Sequence, residues 1–316
     1  MKRSTKDYIW PIVGLAAVAF SVWMLINQLR HISLDDIINS LYAIPYSNWV
    51  FAGLATLGAY IALAGYDWLA LLHLRKRLPW SFITAASFTA YAMGHNIGAS
   101  VFSGAVVRYR AYRSKDLTPA EVGILVAFCS FTFSLGAIFL GGLVLLLDPG
   151  MIRRFFEDMP LWGSITLSVA MLALVGLYVL GSQLRFKPLE LRWFKLQYPE
   201  PGIVWRQLII GPLELIAAAA IIYFALPDSA NVSFLLVLGI FLASFSMALV
   251  SHAPGGLGVL EICFLIGLPE LDPADLIAAL LVFRLLYLLI PFALSLVIVL
   301  WFERDQWLRR RSSDKS

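Results

Sequence analysis

The sequence predicts an all-α polytopic membrane protein: about six full spanning helices plus two re-entrant helical hairpins, arranged as an inverted-topology repeat. Three observations predict it. Of 316 residues 60% are hydrophobic and 14% charged, with mean hydropathy +0.81, whereas a water-soluble domain carries about 25% charged residues. Apolar runs of bilayer-spanning length recur along the whole chain. Lysine and arginine are gathered into five clusters, and it is these residues near helix ends that set orientation.

The first apolar run, 9–27, follows the basic start Met1-Lys2-Arg3 without a small-residue cleavage site, so it reads as a retained helix and not a signal peptide. Clear spans follow at 47–71, 120–147, 161–181, 207–227 and 274–302. Two segments are broken. Residues 82–107 are interrupted by His95-Asn96 and by glycines. Residues 233–268 open as a helix, meet SHAPGGLG at 251–258, and resume as a short apolar run. The longest loop, 182–206, is basic and aromatic (RFKPLELRWFKLQYPEPG) and reads as an amphipathic surface segment.

The clusters at 2–6, 75–77, 108–115, 185–206 and 304–315 hold 20 of the 24 basic residues. All five lie on the cytoplasmic side only if 82–107 enters and leaves from that side and 233–268 enters and leaves from the outer side. The order helix, helix, hairpin, helix then occurs twice, over 1–147 and over 148–316, with opposite orientation and both termini cytoplasmic. Such a layout places a transporter's substrate site where the two breaks meet. A topology with 233–252 as a full crossing is the alternative.

Ionisable groups inside apolar segments are costly and by default mark function. Arg284, in FRLLYLLIPF, stacks with Tyr287 along one helix face. It needs a partner, and Glu261 is the nearest acid of comparable depth. Two roles are open to this pair: a structural tie, or an anionic-headgroup site. Arg108, Tyr109 and Arg110 follow the first broken segment, and arginine suits bidentate phosphate contact; the competing role is a positive-inside anchor. His95 and Asn96 in the first break and His252 in the second are candidates for headgroup contact, and the two histidines also for proton relay or for capping broken helices. Glu214, beside the helix-kinking Pro212, is a candidate for proton or ion coupling, as is Glu261. Asp67 reads as interfacial. Gly255, Gly256 and Gly258 fit non-helical backbone and close approach at the break. Cys129 and Cys263 read as small buried hydrophobes, no metal-ligand spacing occurs, and no cofactor is implied. No nucleophile elbow, Walker loop or HExxH motif points to an enzyme, and the charge of +4 does not point to nucleic acid.

GAVVRYRAYRS after the first break, SHAPGGLGVLEICF in the second and FRLLYLLIPFALSL in the last helix resemble the transmembrane (flippase) domain of lysylphosphatidylglycerol synthase, whose free-standing members are YbhN-type bacterial inner-membrane proteins. The patterns H-x-P-x-G-x-G-x-x-E and R-x-x-Y-x-x-x-P carry the resemblance. Where the family commonly has a glycine pair before RYR, this chain has Phe102-Ser103-Gly104. The resemblance implies an inner-membrane protein that translocates or binds a lipid, an anionic or aminoacylated phospholipid, without aminoacyl-transferase activity. It carries Arg108, Arg110, His252, Gly255, Gly256, Gly258, Glu261, Arg284 and Tyr287 over as binding residues. Two rivals stay open: a membrane-embedded transferase using a lipid-linked donor, and a non-transporting partner of a lipid-modifying enzyme. Accessibility labelling of single cysteines placed at Asp272 and Ser312 reads the topology. Opposite sides are expected, and labelling from the same side would remove the hairpin arrangement.

Overall fold

The computed structural model describes residues 33–97, 100–184, 189–191, 194–196, 199–227, 231–251 and 258–300. The predicted helix at 9–27 and the basic C-terminal tail lie outside them. The remaining elements are α1 (Leu34–Ala43), α2 (Tyr46–His73), α3 (Trp80–Ile97), α4 (Ser100–Arg113), α5 (Pro119–Leu147), α6 (Leu161–Gln183), α7 (Pro201–Ala225), α8 (Phe234–Ser251), α9 (Val259–Gly267) and α10, which begins at Pro273 and runs to Leu300. A two-stranded antiparallel ribbon, Leu189–Leu191 with Phe194–Leu196, lies in the α6–α7 connection.

Five of these helices, α2, α5, α6, α7 and α10, are long and apolar enough to cross a bilayer. At 23 to 29 residues each they reach about 35–43 Å, more than the roughly 30 Å hydrocarbon core. The chain is an all-α, multi-pass membrane protein. Their starts follow local chemistry. Ser33 and Asp36 form a capping box on α1, and the Ser33 backbone N–H beside it holds the Asp36 carboxyl below its usual range. Thr118 and Glu121 cap α5 in the same way, with Pro119 in its first turn. Asp272 caps α10 by accepting from the Ala274 N–H at 2.8 Å, again followed by proline.

Sequence reading and structure differ at three places. Helix α1 has no counterpart in the predicted elements: its ten residues are too few and too polar to read as a span. Helix α7 starts at Pro201, so part of the predicted 182–206 loop is helical. The RYR stretch does not follow the first broken segment but sits inside α4, which continues to Arg113.

Ion pairs show which connections share an end of the bundle. Lys76 before α3 meets Glu121 at the start of α5 at 2.9 Å, and Arg75 meets Glu200 before α7 at 3.3 Å. The chain thus enters α3 and leaves α4 at one end. At the opposite end Arg154, after α5, bonds the Gly267 carbonyl at 2.7 Å and Glu270 at 2.9 Å, so α9 ends there. The pairs α3/α4 and α8/α9 pack against each other internally. Nine residues give α9 a length of about 14 Å, far short of a bilayer.

Helices α2 and α7 form the axis, with the most extensive packing of any pair, and α5 crosses α7. The crossing depends on Gly136 and Gly211: a Cβ on Gly136 would stand 2.5 Å from the Gly211 carbonyl carbon, and one on Gly211 2.9 Å from the Thr132 oxygen. Small residues permit this backbone approach. Beside it Gln207 Nε2 donates to Thr132 Oγ1 at 2.8 Å, and Tyr178 donates to Gln207 Oε1 at 2.7 Å. Helix α6 lies outermost and turns Leu167, Val169, Leu174 and Leu177 outward, as a lipid-facing helix does. Gly136→Ala is expected to lower the thermal midpoint in detergent by an amount equal to about 1–3 kcal/mol of overpacking. Gly53→Ala, whose Cβ would meet nothing within 4 Å, is expected to leave it unchanged; equal midpoints for the two variants would remove the crossing argument.

Candidate functional site

Among the described residues three carboxylates are buried in the bundle, and their partners separate their roles. Asp67 in α2 is fully buried, which corrects its reading as interfacial. It accepts from Arg108 Nε at 3.1 Å and Nη2 at 2.8 Å, from Tyr112 at 2.8 Å and from the Cys129 thiol at 3.4 Å. Arg108 also lies 4.4 Å from the Tyr91 ring centroid. This fully satisfied knot ties α2, α3, α4 and α5 together. The headgroup role read for Arg108 therefore meets a guanidinium already held by Asp67 and 4% exposed.

Glu261 and Arg284 do pair. Nε of Arg284 donates to Glu261 Oε1 at 2.8 Å, and Nη2 lies close to the same oxygen. The other oxygen, Oε2, accepts from the Gly258 N–H at 2.8 Å and so caps α9. Gly258 sits at φ 81°, a conformation that favours glycine and turns the chain into α9. The pair joins short α9 to α10 and is slightly open, with 12% of the Arg284 side chain exposed.

Glu214 in α7 is 2% exposed. Tyr287 donates to its Oε1, while Oε2 has no hydrogen-bond partner. Tyr287 lies in α10 where the helix widens to π geometry over Arg284–Leu289. The cause is local. Pro291 has no N–H to offer the carbonyl four residues back, that of Tyr287, and its ring crowds it. The freed Tyr287 carbonyl accepts from Tyr60 of α2 at 2.9 Å, and the next one, Leu288, accepts from Asn96 Nδ2 at 3.0 Å. His95, half-buried, stacks on the Tyr287 ring at 5.5 Å, and its Nδ1 is sealed without a partner. Tyr66 completes the cluster, donating to the Gly211 carbonyl at 2.8 Å.

The predicted residues thus divide. His95, Asn96, Glu214 and Tyr287 meet at one polar centre between α2, α3, α7 and α10. Glu261, Arg284 and Gly258 form a pair on the α9 side. Tyr109 and Arg110 are exposed on α4 and do not reach the centre. His252, Gly255 and Gly256 lie outside the described residues. Sequence reasoning missed Tyr60, Tyr66 and Tyr112. Phenols inside apolar helices were the available signal, since a buried O–H needs a partner. Among the described residues no cluster of metal-ligating side chains occurs.

This fold and centre define a polytopic α-helical membrane protein with buried ionisable groups. Residues 12–295 match the family model of the lysylphosphatidylglycerol synthase TM region, and the chain belongs to that family. It is 28% identical over 300 residues to the uncharacterized protein slr0712 of Synechocystis, covering 95% of this chain and 93% of that one. It is likewise 28% identical to the inner membrane protein YbhN of Escherichia coli over 251 residues, 78% of this chain and 77% of YbhN. A phosphatidylglycerol lysyltransferase of Staphylococcus haemolyticus is 24% identical over 90% of this chain, which spans 33% of that longer protein.

Arg108→Ala leaves Asp67 buried and uncompensated, and is expected to destabilise the protein by about 3–5 kcal/mol. The double variant Asp67→Asn/Arg108→Met is expected to recover most of that in thermal-unfolding measurements. A double variant no more stable than Arg108→Ala would contradict a primarily structural role.

Proposed function

We propose that this protein is an inner-membrane lipid transporter that moves an anionic or aminoacylated phospholipid between leaflets, and that it carries no aminoacyl-transferase activity. The observation behind this reading is the polar centre itself. The tip of one broken helix pair, at His95-Asn96, is docked on the π segment of the last helix around a buried carboxylate, inside an otherwise apolar bundle. The family assignment and the inner-membrane and phosphatidylglycerol-related names of the relatives support the same class.

In this reading residues 1–147 and 148–316 are inverted repeats. The pairs α3/α4 and α8/α9 are re-entrant hairpins from the cytoplasmic and outer sides, with both termini cytoplasmic. Two ion pairs support this reading: Lys76–Glu121 brings the entry to α3 beside the start of α5, and Arg154–Glu270 brings the end of α9 beside the end of α5. Broken helices at membrane depth are tolerated where they are buried in protein or line a cavity. Arg284 is the phosphate-binding group, and Glu261 the carboxylate it exchanges for the headgroup. Glu261 then answers the cationic part of an aminoacylated lipid. Gly255, Gly256 and His252, which lie outside the described residues, are assigned to the same headgroup site on the strength of the family assignment. Alternating exposure of this site to the two leaflets moves the headgroup across.

Reconstitution in liposomes containing fluorescent phosphatidylglycerol or its lysyl ester, with a membrane-impermeant quencher, measures the transfer. The wild type is expected to speed leaflet exchange over empty liposomes without changing lipid mass. Arg284→Ala is expected to slow it at least ~10-fold, equal to about 1.4 kcal/mol. No acceleration with either lipid would refute transport, and a new lipid mass would point to a transferase.

A further inference from the structure

Of the three buried acids among the described residues, two are answered by arginine, and the third has no arginine partner among those residues. Asp67 has Arg108 and Glu261 has Arg284. Glu214 is 2% exposed, more deeply buried than Glu261, yet its hydrogen-bond donor is a phenol and its Oε2 is unpartnered. An ionised carboxylate in an apolar interior without a cation is very costly, whereas the neutral acid costs far less.

The groups facing it are few on each neighbouring helix. From α2 come Tyr60 and Tyr66, whose O–H groups are committed to the Tyr287 and Gly211 carbonyls. From α10 comes Tyr287, with Arg284 engaged by Glu261. From α3 comes His95, stacked on Tyr287 and backed by Tyr91, over which Arg108 lies. From α8, Phe245 meets the imidazole edge-on. Helix α5 contributes Thr132 and Gly136 at its crossing with α7, and Cys129, which is turned to Asp67.

Two further features suit a group that changes state. Glu214 follows Pro212, and Tyr287 precedes Pro291, so both helices have an interrupted backbone ladder beside the acid. His95 is half-buried against the Tyr287 ring, and its Nδ1 has no hydrogen-bond partner, so that nitrogen can accept a proton.

We propose that Glu214 is the proton-carrying carboxyl of lipid transport, loaded and emptied past His95. This rests on the transport reading above and names its energy source, a proton gradient. In the closed form the proton is on Glu214. When the cluster opens to one face, the proton passes to His95 Nδ1, from there to water, and the imidazole returns to its neutral form. The carboxylate that remains takes a proton from water when the cluster opens to the other face. One proton crosses per cycle, and no oxidant, reductant or other reactant is needed.

The test uses the full chain in proteoliposomes with fluorescent phosphatidylglycerol, with a pH gradient imposed and then collapsed by a protonophore. The wild type is expected to respond to the gradient, by up to about tenfold per pH unit for one coupled proton. Glu214→Gln, which keeps an acceptor for Tyr287 but cannot release a proton, and His95→Gln are expected to lose that response. Glu157→Gln, at an exposed loop position, is expected to keep it. A wild type that moves lipid equally with and without the gradient overturns proton coupling and leaves transport standing. A wild type that moves no lipid under any gradient overturns transport, and coupling with it. Infrared spectra of the purified protein give a readout independent of lipid: a protonated-carboxyl band present in the wild type and missing from Glu214→Gln supports the carrier. Its absence from the wild type overturns it.

Discussion

A buried charge in a membrane protein must be answered within the protein, because hydrocarbon offers neither water nor counter-ion. The Asp67 knot is where this structure meets that demand most completely. Three side chains from three other helices, Tyr91, Tyr112 and Cys129, converge on one carboxylate and its arginine. Because α4 alone brings both Arg108 and Tyr112 to it, the returning arm of the first broken pair is fixed in depth and rotation against α2. That places His95 and Asn96, at the far end of α3, against α10. The centre is thus positioned by an interaction that takes no part in it.

The second half of the chain meets the same demand differently. Its acid, Glu261, is on the short arm α9 and its arginine is on the last helix, whereas in the first half the acid is on the axial helix and the arginine on the returning arm. Glu261 spends one oxygen on capping its own helix and shares the other with Arg284. The pair is less sealed than the Asp67 knot, with 12% of the Arg284 side chain exposed against 5% of that of Arg108. The two halves thus answer a buried acid in different ways, one sealed among four helices and the other shared between a helix cap and an arginine.

Between the two pairs the backbone supplies part of the chemistry. Pro291 frees the Tyr287 carbonyl and Tyr60 takes it; Gly211 has no side chain, so α5 approaches closely, and its carbonyl takes Tyr66. The tyrosines are therefore held by defects in neighbouring helices, and their order depends on sequence positions far apart. This is why the proline in FRLLYLLIPF matters beyond ending a regular ladder.

The sequence by itself determined the class and most of the spans. Composition and twenty-residue apolar runs are cumulative signals, and the predicted spans at 47–71, 120–147 and 161–181 agree closely with α2, α5 and α6. It also singled out Glu214, Glu261 and Arg284, because a charge in an apolar run is conspicuous without any structure. Only the tertiary structure decided which charge answers which. Asp67 and Arg108 are 41 residues apart and give no periodic signal, so one read as interfacial and the other as a headgroup ligand until packing brought them together. Glu214 and Tyr287 are 73 apart, and what distinguishes that acid is the lack of a cation among the described residues around it. The cost of a buried charge depends on its partners in space, and linear spacing says nothing of those until the helices have packed.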